Sequence, residues 1–334
     1  MRTLSAADYS SADLHDRERR TIFGREWLCL GRAEDVAQPG SYRAESVAGW
    51  PLLVVRDTAG VLRAFHNVCR HRAGPLVDDG GGSCRSLVCR YHGWAYGLDG
   101  SLRSARDSGL DPAELEGLDL LPVRVAEWRG ILFVCQDSDA PELEAWIGGL
   151  TGACEPFSME SWRMTERSVH HIACNWKAYS DNYLEGYHIP LVHPELSRAI
   201  DPNSYQVDVH DRWVRHRADT REGVLATGAW LWHWPNLALN LYEHGMSVER
   251  WYPTGPTTCI LVLDYCFADT SDEAMQRNKL DIEASARICE EDKAICEAVQ
   301  RNLSAGIYDT GLLSPKHEQG VAAFHEQVLA AREA

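Results

Sequence analysis

Residues 175–193 read NWKAYSDNYLEGYHIPLVH and concentrate Asp181, Glu185, His188 and His193 within thirteen positions. On a helix, positions three, four or seven apart share a face, so Asp181, Glu185 and His188 should form one polar stripe. Pro190 disfavours helical geometry at Ile189, which would put His193 just past the helix end, folding back toward His188. Two imidazoles converging beside carboxylates are the donor set of a zinc or iron site.

A second constellation lies upstream, in HNVCRHRAGPL and LVCRYHGW. Cys69 and His71 form C-x-H, Cys89 and His92 form C-x-x-H, and seventeen residues separate His71 from Cys89. Zinc would take all four ligands tetrahedrally. A [2Fe–2S] cluster would take both thiolates on one iron and both imidazoles on the other. Zinc fingers usually pair Cys with Cys and His with His, whereas here each loop is mixed, and that favours the cluster. Cys84, between the loops, reads as a bystander thiol.

A third candidate donor sits downstream. Over 272–303 the apolar period is helical, with Ala284, Ile288, Ile295, Val299 and Leu303 marking a stripe. Asp292 falls within it and Glu291 flanks it. A carboxylate on a buried face is costly unless paired or metal-bound. Either would complete two histidines and one carboxylate, the facial set that leaves positions open on Fe(II). Spacing prefers Asp292 only mildly.

The elements that must position these residues fall into two patterns. From about Trp27, short apolar runs recur between turn residues, at 27–30, 51–56, 61–65, 86–88 and 131–135. This predicts a small all-β module over 29–137, preceded by short helices over 1–28 that dock on the body. Glycines 80–82 read as a loop between the cluster ligands, with no strand–turn–helix context for phosphate. A second body spans 138–334, with a connector over 138–170. Beyond His193, strands at 205–210, 212–216, 229–234, 238–242, 247–252 and 259–267 predict an antiparallel meander. Trp230, Trp232 and Trp234 then share one face. Trp232, Trp234 and Tyr242 read either as an aromatic cage for a cation or as ordinary core. His66, His170, His171, His210, His216, His233, His244, His317 and His325 have no ligand spacing and read as surface or satisfied core positions.

The whole-chain totals narrow the options. At 334 residues, with 45% hydrophobic and 25% charged residues, two soluble domains are expected. A net charge of −16 disfavours nucleic acid and anionic membranes as partners and is compatible with a cationic small molecule. The first twenty residues carry no apolar run, and the longest runs elsewhere are too short to span a bilayer. Eleven cysteines without regular spacing suit a reducing cytoplasm.

CRHRAGPL and CRYHGWAY resemble the two cluster loops of the Rieske non-haem iron oxygenases, and NWK…DNYLEGYH…H resembles their mononuclear iron motif. The resemblance runs from Trp27 to His325. It implies an α+β protein: a small Rieske [2Fe–2S] domain plus a helix-grip-like catalytic domain, an antiparallel sheet with helices, carrying mononuclear iron. It implies that Cys69, His71, Cys89 and His92 hold the cluster and that His188, His193 and Asp292 hold Fe(2+), which settles Asp292 over Glu291. Glu185 matches the carboxylate linking the two metal centres, and Asp181 a supporting position. The resemblance further implies a homotrimer in which His92 of one chain meets Glu185 of the next, and O2 as co-substrate. NAD(P)H and flavin enter only through a separate reductase, since the chain carries neither a dinucleotide fingerprint nor a plant-type ferredoxin cysteine set.

Within the family, WPNLALNLY, YPTGPTTCILVLDY, EEDKAICEAVQRNLSAGIYDTG and HPEL resemble the choline monooxygenase and betaine/carnitine oxygenase branch. A terminal oxygenase that hydroxylates or N-demethylates a quaternary or N-methylated amine is therefore expected. Hydroxylation of an aromatic or other carbon skeleton is the alternative. A non-enzymatic iron–sulfur carrier would leave His188, His193 and Asp292 idle.

Overall fold

The computed structural model describes residues 1–220 and 228–333. The chain forms two compact units, Gly24–Leu143 and a second made of Met1–Phe23 with Glu144–Ala334.

The first unit is built from ten short strands: β1 Leu28–Arg32, β2 Ser41–Val47, β3 Trp50–Arg56, β4 Leu62–His66, β5 Gly80–Ser83, β6 Leu87–Val88, β7 Ala95–Tyr96, β8 Leu102–Ser104, β9 Pro122–Trp128 and β10 Ile131–Cys135. Seven pair antiparallel in the order β1-β10-β9-β4-β3-β2-β5, and β6-β7-β8 form a separate small sheet. Apolar side chains from both sheets, among them Leu53, Val55, Phe65, Leu87, Trp94 and Tyr96, meet in one core that also holds Cys69 and Cys89. Glycines 80–82 are not a loop. They form edge strand β5 on β2, where Gly82 lies so close to the Tyr42 ring that a Cβ would come within 2.7 Å of its hydroxyl. Backbone pairing needs no side chain, so a periodicity count could not see this strand.

The second unit is organised on a seven-stranded antiparallel sheet. Its strands are β11 Arg163–Ile172, β12 Gln206–Val209, β13 Trp213–Arg217, β14 Ala229–His233, β15 Leu237–Leu241, β16 Gly245–Gly255 and β17 Thr258–Phe267, in the order β11-β17-β16-β15-β14-β13-β12. The meander read from the sequence is thus present, closed at one edge by the long β11–β17 pair. The longest helices of the unit are Trp176–Tyr183, Asp272–Leu303 and Gln319–Glu333.

The N-terminal segment is fastened into this unit by a buried charge network. Glu18 accepts from Trp176 Nε1 at 3.0 Å, Lys177 Nζ at 2.7 Å and Arg332 Nε at 3.0 Å. Lys177 is fully buried, and a buried ammonium is tolerated only when paired this way.

On the Asp272–Leu303 helix the buried face runs through Asn278, Ile282, Cys289, Asp292, Cys296 and Gln300. That face is rotated from the apolar stripe read from the sequence, because Ile295 and Val299 are exposed. Polar residues take its place: Asn278 Nδ2 donates to Asp269 O at 2.9 Å, and Gln300 accepts from Asn175 N and donates to Tyr9 O. Among the described residues no helix is long and apolar enough to cross a membrane.

Candidate metal centres and active site

In the first unit each cysteine sits in a loop with the same backbone pattern. Cys69 N–H donates to Gly74 O and Cys89 N–H to Trp94 O, both at 2.9 Å. Ala73 N–H then returns to Cys69 O and Gly93 N–H to Cys89 O, with both residues at positive φ. Asn67 braces the first loop, accepting from Leu76 N–H at 2.9 Å and Val77 N–H at 3.2 Å and donating to Val77 O at 2.9 Å.

The thiols are buried and neighbouring, while His71 and His92 are exposed with ring centroids 4.6 Å apart. His71 stacks on Trp94 at 4.9 Å, and the His92 ring lies tilted against Tyr91 at 3.8 Å. A Cβ at Gly74 would approach Cys89 Sγ to 2.8 Å, so that position has no room for a side chain. Two thiols on the inner side and two imidazoles on the outer fit a two-iron cluster with S2 and N2 ends.

Tyr96 OH accepts from Arg70 N–H at 3.1 Å and so has its own proton free for Cys69 Sγ, 3.3 Å away. Hydrogen bonds to cluster sulfurs stabilise the more negative, reduced state. Tyr96→Phe is therefore expected to lower the cluster's midpoint potential by tens of millivolts, about 60 mV for each factor of ten in the one-electron equilibrium. Redox titration of the holoprotein by EPR reads this directly, and an unchanged potential would show that the hydroxyl does not reach the ligand sulfur.

In the second unit the Trp176–Tyr183 helix starts at Asn175, whose side chain accepts from Lys177 N–H at 2.9 Å. It ends before Glu185, so Asp181, Glu185 and His188 do not share a helical stripe. Nor does Pro190 hold the chain out of helix: Ile189–Val192 is a short helix capped by His188, and Pro194–Ala199 is another capped by His193. Proline is accommodated in a first turn, where no N–H partner is needed. Between the Trp176–Tyr183 helix and these turns the chain passes Tyr205 at Gly186, where any Cβ would collide with the ring.

This path brings His188 Nε2 and His193 Nε2 to 3.1 Å, with Asp292 Oδ1 at 3.0 Å from His193 and 3.7 Å from His188. Among the described residues these three are the one group whose donor atoms converge tightly enough for a metal. The far nitrogens are each held by a glutamate: His188 Nδ1 lies 2.5 Å from Glu185 Oε1, and His193 Nδ1 lies 2.7 Å from Glu291 Oε2. Such carboxylates fix the tautomer with Nε2 as lone-pair donor and raise its basicity. The arrangement separates the two downstream carboxylates: Asp292 joins the converging atoms, and Glu291 orients His193. Asn182 Nδ2 donates to Asp292 Oδ1 at 2.6 Å. Two imidazoles and one carboxylate oxygen on one side of a point fit Fe(II) with open positions.

Asp181 lies elsewhere. Its carboxylate accepts from Tyr9 OH at 2.6 Å and meets His325 Nε2 at 2.9 Å. It therefore ties the Trp176–Tyr183 helix to the N-terminal segment and the Gln319–Glu333 helix, and supports neither His188 nor His193.

A cavity of about 400 Å3 opens beside the three donors. Tyr179, Tyr183, Tyr205, Trp230, Tyr242 and Tyr265 contribute rings, and Glu249, Asn240 and His216 contribute polar groups. Tyr242 is therefore at the cavity, but Trp232 and Trp234 are not. They share a sheet face with Trp230, yet Phe324 covers them at centroid distances of 5.7 and 5.9 Å, making them core. Trp230 escapes that cover and donates from Nε1 to Tyr242 OH at 2.9 Å.

His216, read from the sequence as an ordinary position, borders the cavity, where burial pushes its pKa down to about 4. Glu249, Asn240 and His216 lie on strands at period-two positions and carry no motif. Asn182 does lie inside the NWK…DNYLEGYH stretch, and that signal could have found it.

A protein with a cluster-type Cys2His2 pair in one unit and a converging His2Asp set beside an aromatic cavity in the other is equipped for electron-fed oxygen chemistry. Comparison with known families agrees. Residues 26–112 match the Rieske [2Fe-2S] domain, and residues 159–222 and 204–333 match the ring hydroxylating alpha subunit (catalytic domain). The chain is 33% identical to the chloroplastic choline monooxygenase of Beta vulgaris, over 95% of this chain and 74% of that protein. It is 29% identical to the carnitine monooxygenase oxygenase subunit of Escherichia coli, over 97% and 92%. A crystal structure of the quaternary ammonium Rieske monooxygenase CntA with L-carnitine superposes with a TM-score of 0.88 at 28% identity, covering 99% of this chain and 96% of that one. The chain belongs to the Rieske non-haem iron oxygenases, as a terminal oxygenase subunit. Its cofactors are the Rieske cluster and a mononuclear iron.

Proposed function

We propose that this oxygenase hydroxylates an N-methyl or neighbouring carbon of a quaternary or N-methylated amine, releasing formaldehyde where an N-methyl is the target. The observation that carries this reading is the cavity: Tyr179, Tyr183, Trp230 and Tyr242 line it together with a buried carboxylate, Glu249, beside the His188–His193–Asp292 set. Aromatic faces and a carboxylate suit a cation without N–H donors. The relatives named choline and carnitine monooxygenase support the same class.

When bound, the cluster supplies electrons singly and the iron supplies oxygen activation. The chain's own work is to present ligand atoms, bind the amine and exclude water. Glu185 and Glu291, bonded to the two Nδ1 atoms, would leave both Nε2 atoms free to hold the metal, and Asp292 would contribute the anionic donor. In the net change, an N-methyl group, O2, two electrons and two protons become an N-hydroxymethyl group and water. The hydroxymethyl ammonium then breaks its C–N bond, giving formaldehyde, a proton and the demethylated amine.

We further infer a ring of three subunits in which the partner subunit's His92 meets Glu185, which is bonded to His188. The CntA work describes inter-subunit electron transfer, which supports that order. A cytoplasmic location is supported by the nine cysteines besides Cys69 and Cys89, which are scattered without regular spacing and form no disulfide among the described residues.

The test is a panel of N-methylated and quaternary amines alongside arenes, run with a surrogate reductase and assayed for formaldehyde and hydroxylated product. Oxidation of amines with turnover-dependent product is expected. Product from arenes alone would move the assignment to carbon-skeleton hydroxylation.

A further inference from the structure

Resting on the amine reading above, we propose that Glu249 is the counter-charge for the substrate's cationic nitrogen, the residue that makes the cavity prefer an alkylated ammonium over its neutral carbon isostere. Glu249 lies on β16, is 5% exposed and borders the cavity. One oxygen is fully engaged: Oε1 accepts from Asn240 Nδ2 at 2.6 Å and from Ser247 Oγ at 2.9 Å. Asn240 is itself oriented by Tyr183 OH, which donates to its Oδ1 at 2.8 Å, so the amide NH2 must face Glu249. Among the described residues nothing donates to Oε2, and no lysine, arginine or histidine pairs with the carboxylate.

A buried carboxylate lacking a cation is expensive to keep ionised. Burial accordingly pushes its pKa up to about 7, with the neighbouring Asp292 adding to the rise. A ligand that brings its own positive charge relieves that cost. The surrounding walls suit a charge that cannot donate a hydrogen bond. Trp230 and Tyr242 are locked together by their 2.9 Å bond, and the Tyr179, Tyr183 and Tyr265 rings complete the surround. Quadrupole attraction from ring faces and charge attraction from one carboxylate act on an ammonium centre whatever its alkylation.

The other acids do not compete. Glu185 and Asp292 are engaged by His188, His193 and Asn182. Asp281 has Arg277 beside it on the same helix, one turn away. It also stands three turns, roughly 16 Å along the axis, from Asp292. A small amine whose N-methyl carbon lies beside the iron ligands does not span to Asp281, whereas Glu249 is near enough to Asp292 for the two charges to interact.

The test measures binding on metal-loaded protein by titration calorimetry, using choline, L-carnitine and the neutral choline isostere 3,3-dimethylbutan-1-ol. In the wild type, choline is expected to bind at least ten times more tightly than the isostere. Glu249→Gln keeps the side chain's size and is expected to weaken both cations at least tenfold while leaving the isostere within twofold. Iron content and the Rieske EPR signal should be unchanged. Cation affinity unchanged in Glu249→Gln overturns the assignment while the amine reading stands, and a wild type that binds no quaternary amine overturns both. If Glu249→Gln does not assemble, Glu249→Met decides by the same titration: an unchanged choline-to-isostere ratio overturns the proposal, as does a ratio near one in the wild type.

Discussion

Asp292→Ala is expected to yield a folded protein that keeps its Rieske EPR signal, loses its mononuclear iron and turns over no substrate. Asp292 Oδ1 is 3.0 Å from His193 Nε2 and supplies the anionic member of the converging set. Two neutral imidazoles alone leave a divalent cation with no charge compensation and one donor fewer. Removing an outer carboxylate that orients a ligand typically costs about 10–100-fold in metal affinity or activity, and losing the donor itself should exceed that. The helix does not depend on the carboxylate: alanine is the best helix former, and Cys289 and Cys296 still bury the same face.

Glu291→Gln serves as the internal comparison. It stands one position away and touches His193 only through Nδ1, so it should weaken iron binding within the outer-partner range. Iron per chain, measured by ICP-MS after gel filtration, separates the two. If the Asp292 variant retains iron and the Glu291 variant loses it, the ligand assignment is reversed.

That comparison also marks where sequence reasoning reaches its limit. Adjacent carboxylates differ by about 100° around a helix, and the apolar stripe gave only a mild preference, since two of its members, Ile295 and Val299, face outward. The buried face is instead carried by Asn278, Cys289, Cys296 and Gln300, whose burial depends on partners elsewhere in the chain. Short-range motifs were legible because their spacing is local. Cys69, His71, Cys89 and His92 lie in two loops, and His188 and His193 are five residues apart. The sheet was legible because period two marks strands directly.

What stayed hidden is what long-range packing decides. Asp181 belongs with Tyr9 and His325, residues 172 and 144 positions distant. Trp232 and Trp234 became core because Phe324 covers them. Glu249 sits on a strand whose neighbouring positions are also buried, and nothing in its local pattern distinguishes a substrate-facing carboxylate from a paired one.

Glu185→Gln is expected to retain both metal centres yet lose roughly 100-fold in coupled turnover, the upper end of what an outer ligand partner contributes. The reason lies in hydrogen-bond polarity. Glu185 accepts on both oxygens: Oε1 faces His188 Nδ1, and Oε2 accepts from the backbone N–H groups of Tyr187 and His188. A carboxylate offers acceptors on both sides, whereas glutamine has one acceptor oxygen and one NH2. If its oxygen faces His188, the NH2 opposes two backbone N–H donors. Its NH2 cannot face His188 without forcing the imidazole proton onto Nε2, so the form that holds iron is the one with the oxygen on His188. The loop that carries His188 is then perturbed at the two backbone N–H groups, and the negative charge proposed to meet the partner subunit's His92 is gone.

The discriminating measurement mixes chemically reduced variant with oxygen and substrate and follows reoxidation of the cluster by stopped-flow absorbance. Slow cluster reoxidation with iron still bound is the expected outcome. Full coupled turnover with both metals in place would remove Glu185 from the path between subunits and leave it only the task of orienting His188.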